Sequence, residues 1–91
     1  MINLPYIEKE KRLPIDQLVE PLIIHLRRQP LEEQDGSFNY TLTKMLKELY
    51  PLRYYHLNRG LGVLTAVHDE FYRRWVAPYE DVKKFQNGDV Y

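Results

Sequence analysis

Tyr72-Arg73-Arg74-Trp75, followed by Tyr79, Lys83 and Lys84, is the densest collection of reactive groups in this 91-residue chain. Arginine forks grip phosphate and carboxylate oxygens, and aromatic faces stack on bases or on other rings. The same residue types anchor protein interfaces. Trp75 falls on an apolar stripe and reads as core, while Tyr72 and Arg73 point away from it. Together with Tyr91 at the end of the sequence, the candidate binding surface is Tyr72, Arg73, Arg74, Tyr79, Lys83, Lys84 and Tyr91. Three readings of it stand open: a solvated charged face, a protein interface, and a site for an anionic ligand.

The other chemistry-bearing residues do not converge. Arg59-Gly60-Leu61-Gly62 contains a G-x-G, but a nucleotide fingerprint needs a third glycine and a preceding strand. The pair reads instead as two small residues early in the third helix that let another helix approach closely. His25, His56 and His68 share no spacing that puts two ligands on one helical turn. His68 reads as a partly buried, hydrogen-bonded side chain. Asp69 and Glu70 are adjacent, so they point about 100° apart on a helix. Each has an arginine four residues on, giving expected pairs Asp69–Arg73 and Glu70–Arg74. No catalytic residue, metal ligand or cofactor emerges, and the protein reads as non-enzymatic.

Composition narrows the class further. Thirteen basic and thirteen acidic residues cancel, which argues against nucleic-acid binding along a phosphate backbone. The absence of cysteine removes disulfides and thiolate chemistry. MINLPYIEKEKR has no apolar run suited to a signal peptide, and no segment is long enough to span a bilayer. The expectation is a cytoplasmic protein with no membrane contact. Eight tyrosines fit surfaces that are dry at one end and polar at the other. A chain this short buries little core alone, which favours a homo-oligomer.

These groups must be positioned by helices. Residues 1–13 read as an extended arm and 14–91 as a single helical domain. Ile15, Leu18, Leu22, Ile23 and Leu26 repeat at helical spacing, with Pro21 either kinking that helix or starting it. The Asp35-Gly36 pair reads as a turn, and Ser37 as the N-cap of a second helix carrying Phe38, Leu42, Met45, Leu46 and Leu49. After a connector, PLRYYH, the third and longest helix places Leu57, Leu61, Leu64, Val67, Phe71 and Trp75 on one face. Pro78 kinks or restarts it, and Asn87-Gly88 stops the extension. Strand signals are confined to LPYI and DVY. The predicted fold is all-α: three helices packing their stripes into one core, with a proline-kinked C-terminal extension and an extended N-terminal arm.

GSFNYTLTKML, residues 36–46, and LNRGLGVLTAVHDEFYRRWVAPYEDVKKFQNGDVY, residues 57–91, resemble a family of small bacteriophage and bacterial proteins. The likeness is carried by a helix ending in EFYRR, then APYED and a terminal NGDVY. Trp75 stands where the family pattern has a smaller aliphatic, and Phe85 interrupts a more polar tail. The resemblance implies a phage-related, cytosolic, helical protein and brings no reaction with it. The expected function is an interaction protein, homo-oligomeric, binding a host or phage protein. The alternative is a sponge that sequesters a small anionic nucleotide-like ligand. The final segment is expected to be ordered, with Tyr91 docked near the LPYI arm.

Overall fold

A computed structural model describes residues 6–91, and all regular structure in them is helical. The order is α1 (Lys9–Arg27), α2 (Leu31–Leu49), α3 (Tyr54–Phe71), a five-residue π-helical segment (Tyr72–Val76) and α4 (Ala77–Asn87). The all-α expectation therefore holds, with three helices and a C-terminal extension. The chain divides into two units, the first ending at Met45 and the second running Leu46–Tyr91, so the boundary falls within α2.

In the first unit, α1 begins at Lys9 rather than at Pro14. Lysine, glutamate and arginine are good helix formers, and Arg12 braces the entry by donating from Nε and Nη2 to the Ile7 carbonyl at 3.2 and 3.1 Å. Of the expected extended arm, residues 1–5 lie outside the described residues, and 9–13 are helical. The helix neither stops nor restarts at Pro21; Pro14 and Pro21 both sit inside it. Each proline removes one hydrogen bond to the preceding turn, a cost of roughly 3 kcal/mol that the remaining bonds of a 19-residue helix absorb.

Helix α2 starts six residues before the expected cap at Ser37. The Pro30 carbonyl accepts from the N–H groups of Glu33 and Gln34 at 2.9 and 3.1 Å. Glu32 and Glu33 sit in the first turn, where the helix dipole favours carboxylates. Gln34 Nε2 donates to the Leu26 carbonyl at 3.2 Å, tying the start of α2 to the end of α1. Asp35-Gly36 is consequently helical interior rather than a turn. The Ser37 carbonyl accepts from Thr41 Oγ1 at 2.8 Å, an ordinary mid-helix contact.

In the second unit, α3 begins at Tyr54, with Leu57 N–H bonded to the Arg53 carbonyl at 2.9 Å. It continues through the π-helical segment into α4, so Pro78 does not break the helix. An α-helical bond from position 78 to the Arg74 carbonyl is impossible, and the proline ring crowds that carbonyl. The wider turn avoids this conflict: Ala77 N–H reaches the Tyr72 carbonyl, five residues back. Gly88, at φ 86°, closes α4 through its N–H to the Lys84 carbonyl at 2.9 Å.

Neither unit taken by itself supplies the expected core. Among the described residues no hydrophobic side chain is buried in either unit. Leu22, Leu26, Leu42, Leu46 and Leu64 are half-buried, and Phe38, Phe71 and Trp75 are exposed. The amphipathic stripes exist as the periodicity implies, but each helix offers its stripe to solvent instead of to a neighbour in its own unit.

Candidate functional site

The seven candidate residues lie on the π-helical segment, α4 and the segment after it, and they separate into local groups. Glu70 engages both arginines. Its Oε1 accepts from Arg73 Nη2 at 2.9 Å, and its Oε2 meets Arg74 Nε. The hydrogen bond from Arg73, with that from Arg74, holds the Glu70 carboxyl below its ordinary range. The expected Asp69–Arg73 pair is not made; Asp69 Oδ1 meets His68 Nδ1 at 3.2 Å instead. A shared carboxylate satisfies two guanidinium groups on adjacent positions, which leaves Asp69 to its neighbour. His68 is hydrogen-bonded as expected but exposed, not partly buried.

Tyr72 donates its hydroxyl to Glu80 Oε1 at 3.0 Å. Residues eight apart on an α-helix differ by about 80° in direction. The extra residue of the π turn removes most of that offset and brings the two side chains onto one side. This hydrogen bond, and then the negative charge of Glu80, push the Tyr72 phenol above its ordinary value. Lys83 Nζ lies 5.6 Å from the Tyr79 ring centroid, a cation–π geometry. Lys84 Nζ reaches Asp89 Oδ2 at 3.7 Å, and Asp89 Oδ1 accepts from the Tyr91 N–H at 3.1 Å. An open cleft of about 540 Å³ runs along this side, lined by Glu80, Lys83, Lys84, Val90 and Tyr91 among others. Tyr91 itself is wholly exposed; of the LPYI stretch it was expected to meet, Leu4 and Pro5 lie outside the described residues.

A second cluster was not apparent from the sequence. Arg59 sits 5.4 Å from the Tyr50 ring centroid and 6.0 Å from that of Tyr55. Its Nη1 donates to His56 Nδ1 at 2.8 Å, so the proton of a neutral imidazole rests on Nε2. Beneath it, Gly60 is the buried residue of the unit. A Cβ there would stand 3.1 Å from Tyr50 Cδ2, so glycine is what lets the ring in. The close neighbour at Gly60 is therefore the ring of Tyr50 in the connector rather than another helix, and a Cβ at Gly62 would meet nothing within 4 Å. The signal was present: Tyr55 and His56 precede Arg59 by four and three residues. It was obscured because PLRYYH reads as a connector, while α3 in fact starts at Tyr54.

Chemically, these groups can hold ions and rings. Among the described residues no three metal-ligating side chains gather, and no helix is long and apolar enough to cross a membrane. A family model for a domain of unknown function, DUF6899, matches residues 4–90. The chain belongs to the DUF6899 family. That match spans both units and every candidate residue except Tyr91. No curated protein and no solved structure matches the chain, so the reading of this DUF6899 member rests on its own residues.

Proposed function

We propose that this protein is a non-enzymatic, homo-oligomeric interaction protein that binds a host or phage protein. The observation that carries the reading is the absence of any buried hydrophobic side chain among three amphipathic helices. An apolar helical stripe that its own unit leaves exposed marks a site of association. The resemblance to bacteriophage proteins supports a partner met in the host cytoplasm, and the exposed Tyr72, Tyr79 and Tyr91 supply aromatic anchors for it. Light scattering coupled to size exclusion is expected to give a mass that is a multiple of 11.0 kDa. A monodisperse single-chain species at high concentration contradicts the reading.

A second reading, sequestration of a small anionic nucleotide-like ligand, draws support from Arg59 rather than from Arg73 and Arg74. Both of the latter are occupied by Glu70, whereas Arg59 lies between two tyrosine faces with no carboxylate in contact among the described residues. Thermal-shift screening against nucleotides tests it: stabilisation lost in Arg59→Ala supports the sponge, and no stabilisation at about millimolar ligand rules it out.

A further inference from the structure

We propose that Arg59 is the recognition point for a phosphate monoester, gripped by the in-plane edge of its guanidinium. The inference rests on the second reading above, sequestration of an anionic ligand, and names the group of that ligand that is recognised. Arg59 is exposed, yet its surroundings place it. Its guanidinium carbon lies over the Tyr50 ring at 5.4 Å and over the Tyr55 ring at 6.0 Å. Tyr55 stands edge-on to His56, with ring centroids 5.1 Å apart and planes at 76°. Tyr50 reaches this position because Gly60 has no Cβ to meet it. An arginine held in place beforehand loses less freedom when a ligand arrives.

Three features point to a phosphate. The first is hydrogen-bonding capacity. A guanidinium carries five N–H donors in its plane. Ring faces attract its charge but leave most of those donors unsatisfied. Among the described residues its hydrogen bond is the 2.8 Å contact of Nη1 with His56 Nδ1, which as an acceptor is a neutral imidazole. The second is the lack of a competitor. Arg73 and Arg74 turn to Glu70, and Arg12 turns to the Ile7 carbonyl. Around Arg59 the sequence offers no carboxylate: residues 49–68 contain no aspartate or glutamate, in a chain that has thirteen. The third is charge. That stretch carries two positive charges, from Arg53 and Arg59, and no negative one. A phosphate dianion matches this balance, where a single carboxylate leaves one charge over. The fork of Arg59 meets two phosphate oxygens at once, a geometry that the point charge of a lysine cannot reproduce.

Calorimetric titration in phosphate-free buffer compares AMP, glycerol phosphate, adenosine and succinate. AMP and glycerol phosphate are expected to bind, adenosine not to bind, and succinate to bind about tenfold more weakly than glycerol phosphate. Arg59→Lys is expected to weaken AMP binding by about tenfold or more, whereas Arg27→Lys, on α1, leaves it unchanged. If adenosine binds as tightly as AMP, or Arg59→Lys binds AMP as tightly as the unmodified protein, the phosphate site is wrong and sequestration stands. The same holds if no phosphate monoester binds while another nucleotide of the thermal-shift screen does. Succinate bound as tightly as glycerol phosphate overturns the phosphate assignment. No binding in either experiment overturns this site and the sequestration reading together. Should Arg59→Lys fail to fold, magnetic resonance of the unmodified protein decides. Of the ring signals of His25, His56 and His68, glycerol phosphate is expected to move those of His56 most, since that ring touches Arg59. A larger shift at His25 or His68 overturns the site.

Discussion

Glu70 holds two guanidinium groups, and its acidity follows from that. Its carboxyl titrates below the usual range when folded, so the contribution of the two ion pairs is present above the unfolded-state value and lost as pH falls through the folded one. Thermal melts are expected to show a loss of stability on acidification that Glu70→Gln largely removes; an identical acid response in the variant contradicts the pairing. Tyr72 behaves in the opposite sense. Its phenol is raised by Glu80, so its contribution is present below the unfolded-state value and disappears as pH rises through the folded one. In ultraviolet titration of the tyrosines, one phenolate is expected to form later than the rest, and Glu80→Gln to return it to the group. The sequence identified the Glu70–Arg74 pair by spacing alone. It could not identify the Tyr72–Glu80 contact, since an eight-residue separation faces the same way only once the π turn is known.

Helix boundaries were less legible than helix existence. The stripes of all three helices are read correctly from periodicity, because burial preference and the 3.6-residue repeat act together. Asp35-Gly36 carries a turn signature, yet Glu32, Glu33 and the Gln34 bond to Leu26 start α2 earlier, and the glycine is simply enclosed. The two glycines of α3 and the one of α2 now differ in meaning. Gly62 and Gly36 have open space around them, so Ala substitution is expected to stabilise each by about 0.5–1 kcal/mol. Gly60→Val forces a branched side chain against the Tyr50 ring and is expected to cost roughly 1–3 kcal/mol. Equal responses at Gly60 and Gly62 in thermal melts would remove the close-approach role assigned to Gly60. The final segment is held by one long Lys84–Asp89 pair and a bond between Asp89 and Tyr91. Deleting residues 87–91 is therefore expected to leave the melting temperature unchanged, in contrast to the docked segment that the sequence implied. A clear drop would show that the segment packs on the fold.

At the scale of the whole molecule, the sequence supplies three apolar faces and says nothing of what covers them. Periodicity records that a side chain avoids water; it does not record whose atoms replace the water. The single core inferred from composition assumed that one chain supplies both sides of every contact. Neither unit does so. The self-association proposed above would resolve the mismatch between 44% hydrophobic residues and no buried hydrophobic side chain among the described residues. It would also link folding to mass action, since anything that binds only the folded chain raises its stability with concentration. The measurement that tests this most directly is thermal unfolding followed by circular dichroism across a roughly hundredfold range of protein concentration. The account predicts a melting temperature that climbs steadily with concentration. A melting temperature that stays flat across that range contradicts it.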